Sequence, residues 1–197
     1  DRYIRFPLYL VDGFKAYEGD NYASDLQLAL HKHENAGRRL TEKTDFCSFV
    51  YSNAQAAPCR EKMFEALSWY QQVSSGGRYK NNIGGPVDDK LKFQRKHKFV
   101  IAFENTATPG YTTEKIIGAF AAGAVPIYWG NPEITKEFNA GSFINCNDYG
   151  LTEKGELEII ERIVQEVIRI DKDQSAYIAM LKTPAFTIEN DVNGQQQ

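Results

Sequence analysis

From Phe46 onward the chain alternates short apolar runs with longer stretches of helical periodicity, and this alternation constrains the fold more than any other feature. Apolar runs this short, bounded by turn residues, read as strands buried on both faces. The runs are Phe46 to Tyr51, Lys98 to Phe103, Val125 to Trp129 and Ser142 to Cys146. Between them, Pro58 opens a helix with Met63, Phe64, Leu67 and Tyr70 on one face, and Thr113 to Ala122 forms a helix burying Ile116, Ile117 and Phe120. A short helix follows over Ile134 to Phe138, then a longer one from about Leu157 to Ile170. Strands that regularly give way to helices need crossover connections, so the order predicts an α/β fold: a Rossmann-like parallel sheet with helices on both faces.

The punctuation agrees with that order. Gly76-Gly77 predicts a turn, Asn81 to Pro86 a loop, Lys90 to His97 a short basic helix, and Pro109-Gly110 a break before the next helix. Ahead of the alternation, Tyr3 to Val11 reads as extended, Gly13 to Asn21 as a polar loop and Asp25 to Arg38 as a helix. This divides the chain into a linker and leading helix over 1–44, an α/β domain over 45–182 ending in a helix near Ser175 to Leu181, and a polar tail over 183–197. The chain opens on Asp1-Arg2-Tyr3 without Met, as expected of a segment from a longer protein whose upstream domain precedes it.

Composition removes several function classes. A net charge of -3 argues against nucleic-acid binding by bulk charge, so any anion must be held at a local site. The most apolar stretch, Ile116 to Trp129, is interrupted by Gly123 and Pro126 and does not read as a membrane span. Cys47, Cys59 and Cys146 lack the paired spacing of a zinc site and read as buried thiols, which leans towards the cytoplasm. His31 and His33 have no third ligand nearby in sequence, Asp88-Asp89 reads as a solvated turn, His97 as a surface residue, and Trp129 with Tyr128 as core.

In open α/β sheets ligands lie beyond the carboxyl ends of the strands, where helix N-termini turn free N–H groups towards an anion. Three segments have that form: Ser52-Asn53 through Arg60, Glu104-Asn105 through Tyr111, Glu114 and Lys115, and Gly130-Asn131 after Trp129. A diphosphate spanning the first two meets the planar fork of Arg60 and the compact charge of Lys115, which together would replace a divalent metal. The competing view makes each a solvated surface cation, and Glu114 an ordinary first-turn acid.

The run Phe103-Glu104-Asn105, then Pro109 to Ile116, then Pro126-Ile127-Tyr128-Trp129-Gly130, resembles the signature of the α-1,3/1,4-fucosyltransferases. Upstream, Ser52-Asn53 with Pro58 and Arg60, Ser75 to Tyr79, and Asn82 to Pro86 fall in that family's order. The resemblance implies the C-terminal, GDP-fucose-binding half of a GT-B type glycosyltransferase, with inverting transfer of fucose to an oligosaccharide acceptor and no catalytic metal or other cofactor. It implies Arg60 and Lys115 at the diphosphate, Asn105, Tyr111 and Glu114 at the ribose or fucose, and Val50, Ser52 and Asn53 beside the nucleotide. Glu114, Lys115 and Arg60 are thereby the catalytic candidates. Val100 stands where the family often has an aromatic residue. The family's general base is a Glu of the acceptor domain, which precedes a sequence like Tyr3 to Tyr9, so no residue here is assigned that role. Location follows the family as cytoplasmic in bacteria or Golgi-lumenal in eukaryotes, with peripheral membrane association through segments outside this chain. A GT-B transferase of another sugar nucleotide, and a non-catalytic nucleotide-binding module, share the same element order.

Overall fold

The computed structural model describes residues 7–10 and 25–187. Five strands, β1 (Asp45–Phe49), β2 (Val73–Ser75), β3 (His97–Phe103), β4 (Val125–Trp129) and β5 (Ile144–Asn145), form one sheet. Their spatial order is β2-β1-β3-β4-β5 and every pairing is parallel. The strand order reverses between β1 and β3, which makes the crevice at their carboxyl ends the expected ligand position.

Seven α-helices surround the sheet among the described residues: α1 (Asp25–Leu30), α2 (Ala36–Thr41), α3 (Pro58–Tyr70), α4 (Lys90–Arg95), α5 (Glu114–Ala121), α6 (Leu157–Lys172) and α7 (Gln174–Lys182). The period of two along β3 sends Phe99, Ile101 and Phe103 into one core with Met63 and Leu67 of α3, Ile160, Ile163 and Val167 of α6, and Tyr177 and Leu181 of α7. Ala102 faces the other side with Tyr128 of β4, against Ile116, Ile117 and Phe120 of α5 and Ala29 of α1. Helices therefore cover both faces, as the apolar strands require. Val100 lies in a small cluster with Ala119 and Ala124, inside the fold and away from the strand ends.

Several elements differ from the sequence expectation. Asp25 to Arg38 is not one helix: α1 and α2 are separated by a 3₁₀ turn over Lys32–Asn35, where the Lys32 ammonium turns inward to the carbonyls of Met180 and Leu181. Leu8 to Leu10 form a helical turn rather than extended chain, while 3–6, 11 and all of Gly13 to Asn21 lie outside the described residues. Strand β2 has no apolar run to announce it, being Val73-Ser74-Ser75. His97 is 1% exposed and opens β3; its Nδ1 lies 2.9 Å from the Phe93 carbonyl, so it is not a surface residue. The β5 strand is limited to two residues because Ala140–Ser142 forms a 3₁₀ turn and Cys146–Tyr149 another. Of the tail, Ala185 and Phe186 are buried and Phe186 bridges Phe138, so 183–187 belong to the packed body.

The thiols of Cys47, Cys59 and Cys146 are free and buried. Asp89 caps α4 by accepting the Lys92 N–H at 2.8 Å.

Candidate functional site

Lys115 sits in the first turn of α5, and its ammonium does not hang in solvent. Its Nζ donates to Glu104 Oε2 at 2.9 Å and to Thr113 Oγ1 at 2.9 Å. Glu104, the residue after β3, is fully buried, and its carboxylate also accepts the Thr113 N–H at 2.8 Å and the Thr113 hydroxyl at 2.7 Å. A buried carboxylate is costly unless its lone pairs are filled, and here three donors fill them. Glu104 thus fixes both the N-cap of α5 and the cation in its first turn.

Arg60 lies in the first turn of α3 and is 2% exposed, which contradicts the surface-cation alternative. One guanidinium nitrogen donates to the Asn53 carbonyl at 2.5 Å and the other to Asn105 Oδ1 at 3.4 Å. Among the described residues no carboxylate stands within ion-pair distance of it. Its guanidinium rests instead against the Tyr51 ring, 4.2 Å from the centroid, with Tyr79 at 6.0 Å. Burial lowers the Arg60 pKa, yet guanidinium remains charged at any ordinary pH.

Consecutive residues at the exit of β3, Glu104 and Asn105, therefore hold the two cations that the sequence singles out. The Ala57 N–H, immediately before α3, also donates to the Asn105 carbonyl at 3.3 Å. These bonds join the loops after β1 and β3 at the point where the strand order reverses. Ser52, Asn53 and Asn105 are exposed there, while Val50, Tyr111 and Glu114 are half-buried. No hydrogen bond or ion pair engages the Glu114 carboxylate among the described residues.

The loop after β4 supports this arrangement. Asn131, fully buried, accepts the Gly110 N–H at 2.9 Å and donates to Thr112 Oγ1 at 3.0 Å, which fastens the Pro109 to Thr112 segment ahead of α5. Gly130 has φ +151°, and a Cβ there would stand 2.5 Å from Glu104 Cγ. Only a glycine lets the β4 exit approach the Glu104 side chain so closely.

The sequence marks Glu104 and Asn131 only as members of candidate anion-binding segments and gives Tyr51 and Tyr79 no individual site role. For Glu104 the signal was present: an acid directly after an apolar strand is buried where it must find donors. Asn131 was legible only as part of a loop. The aromatic partners of Arg60 depend on the path of the Gly76-Gly77 turn, which the sequence does not specify. No group of three or more His, Cys, Asp and Glu side chains among the described residues could hold a metal ion. No described helix is long and apolar enough to cross a membrane.

The chain is thus a doubly wound, parallel α/β domain with two anchored cations at the switch point of its sheet. Residues 40–182 match the family model described as glycosyltransferase family 10 (fucosyltransferase) C-term, and the chain belongs to this family. It is 33% identical over 210 residues to the alpha-(1,3)-fucosyltransferase FucT of Helicobacter pylori, covering 96% of this chain and 42% of that protein. It is 28% identical over 142 residues to a 3-galactosyl-N-acetylglucosaminide 4-alpha-L-fucosyltransferase of Bos taurus, covering 71% of this chain and 36% of the relative. A solved alpha1,3-fucosyltransferase superposes with a TM-score of 0.73 at 31% identity, over 93% of this chain and 56% of that one. A crystal structure of alpha1,3-fucosyltransferase with GDP-fucose superposes with a TM-score of 0.68 at 31% identity, over 86% of this chain and 48% of that one. The chain thus spans about half the length, or less, of these relatives.

Proposed function

We propose that this chain binds GDP-fucose at the carboxyl ends of β1 and β3 as the donor-binding part of an α-1,3/1,4-fucosyltransferase. The observation that carries the reading is the pair Glu104 and Asn105, which brings Lys115 and the carboxylate-free Arg60 to one crevice. A buried cation without a counter-carboxylate is a standing preference for an anion. The diphosphate lies across Lys115, the N-terminus of α5 and the Asn53 to Arg60 loop, with Arg60 acting from beneath. Tyr111, Asn105 and Glu114 face the ribose and fucose, and Val50, Ser52 and Asn53 border the nucleotide.

Fucose leaves a β-linked donor by in-line displacement, giving an α linkage to a hydroxyl of an oligosaccharide acceptor such as GlcNAc. Negative charge then grows on the departing GDP, where Lys115 and Arg60 stabilise it, while positive charge on the fucose ring falls to Glu114. The base that takes the acceptor proton is not assigned to any residue of this chain. Two fixed cations make donor binding independent of a divalent metal.

Thermal denaturation with GDP, UDP and ADP, each with and without EDTA, tests the reading. GDP alone should raise the melting temperature, and the rise should survive the chelator. An equal response to all three nucleotides, or loss of the GDP effect in EDTA, would refute it.

A further inference from the structure

A buried arginine is ordinarily compensated by a carboxylate, which holds its fork and also competes with any incoming anion. Arg60 is compensated differently. Tyr51, 7% exposed, presents its ring 4.2 Å from the guanidinium carbon. The ring is itself fixed, because the Tyr51 hydroxyl accepts the Phe103 N–H at 2.7 Å and lies 3.0 Å from the carbonyls of Ile101 and Phe103. Tyr51 thereby bolts the exit of β1 to the last residues of β3. Tyr79 supplies a second, more distant ring, 6.0 Å from the guanidinium carbon, and its N–H donates to the Tyr51 carbonyl at 2.9 Å. The turn that delivers Tyr79 passes so near that a Cβ on Gly77 would stand 1.9 Å from the Tyr51 carbonyl oxygen.

An aromatic face stabilises a cation through its quadrupole without cancelling the charge. We propose that Tyr51, assisted by Tyr79, is a positioning residue that holds Arg60 beneath the donor diphosphate while leaving its charge available to the phosphate. This rests on the donor reading above. Phosphate discrimination then depends on an aromatic residue that need not touch the ligand.

Calorimetric titration of wild type, Tyr51→Phe, Tyr51→Leu and Tyr79→Leu with GDP and with guanosine tests it. Tyr51→Leu removes the ring face and should weaken GDP by about tenfold, leaving guanosine unchanged. Tyr51→Phe keeps the ring and should hold GDP within about twofold of wild type, although it melts lower because the Phe103 N–H loses its acceptor. Wild-type GDP affinity in Tyr51→Leu, or parallel losses for GDP and guanosine, would reduce Tyr51 to a packing role and overturn the inference. If Tyr51→Leu does not fold, Tyr79→Leu decides: a GDP-specific loss of about threefold supports the inference, and no loss overturns it. A wild type that ignores GDP refutes the donor reading, and this inference falls with it.

Discussion

At the scale of single residues, Glu104 organises the site without being a ligand candidate. It is fully buried, ties Thr113 and Lys115 together, and is itself confined by Gly130. Gly130→Ala forces a Cβ to within 2.5 Å of Glu104 Cγ at φ +151°, so the mutation should both strain the backbone and displace the carboxylate. The expected cost is about 1–3 kcal/mol of stability, with weakened GDP binding as Lys115 loses its anchor. Gly118 in α5 is the contrasting position, since a Cβ there meets nothing nearer than Gln94 Oε1 at 3.7 Å. Gly118→Ala should be neutral or stabilising by up to about 1 kcal/mol. Denaturant melts of the two variants check the contrast. Equal stability would mean that the Gly130 approach is not rigid.

At the scale of elements, two lysines tie the segment ahead of β1 to helix C-termini. Lys32 donates to the Met180 carbonyl at 2.9 Å and the Leu181 carbonyl at 3.3 Å, at the end of α7. Lys43 donates to the Arg95 carbonyl at 2.9 Å and the Ala122 carbonyl at 3.0 Å, at the ends of α4 and α5. Burial pushes both pKa values down from 10.5 to about 7. Below pH 7 both folded and unfolded chains carry these protons, and the fold bears the full cost of burying two charges. As pH rises past 7 the folded amines release protons that the unfolded chain still holds, so stability increases. Burial raises the pKa of Cys47, Cys59 and Cys146 above 9.0, Cys59 to about 12. Above roughly pH 9 the unfolded thiols ionise while the folded ones stay neutral, and stability falls again. Thermal melts from pH 6 to 10 should therefore pass through a maximum near pH 9, and Lys32→Met should flatten the rising limb. A curve that falls steadily from pH 7 would contradict the assignment.

At the scale of the whole molecule, what was legible followed from periodicity and punctuation. Apolar runs at β1, β3 and β4 announce buried strands, and Pro58 and Thr113 announce helix starts, so the parallel sheet could be read directly. β2 could not, because two of its three residues are serines whose strand geometry comes from pairing with β1. Nor could the break at Lys32–Asn35, since a long-range pair of carbonyls on α7 draws Lys32 inward against local helical preference. The site residues divide in the same way. Lys115 and Arg60 stand out by charge and position, whereas their supports, Glu104 and Tyr51, are defined by contacts across the sheet.

The proposed diphosphate site in the crevice between β1 and β3 has Lys115, anchored on Glu104, as one of its two cations, and calorimetry with Lys115→Ala tests it most directly. A charge-assisted contact to phosphate contributes about 1.5–3 kcal/mol, or one to two decades of affinity. Lys115→Ala should weaken GDP by roughly that factor and leave guanosine unchanged, while melting lower than wild type because the buried Glu104 carboxylate loses its ion-pair partner. Equal GDP affinity in wild type and Lys115→Ala would contradict it.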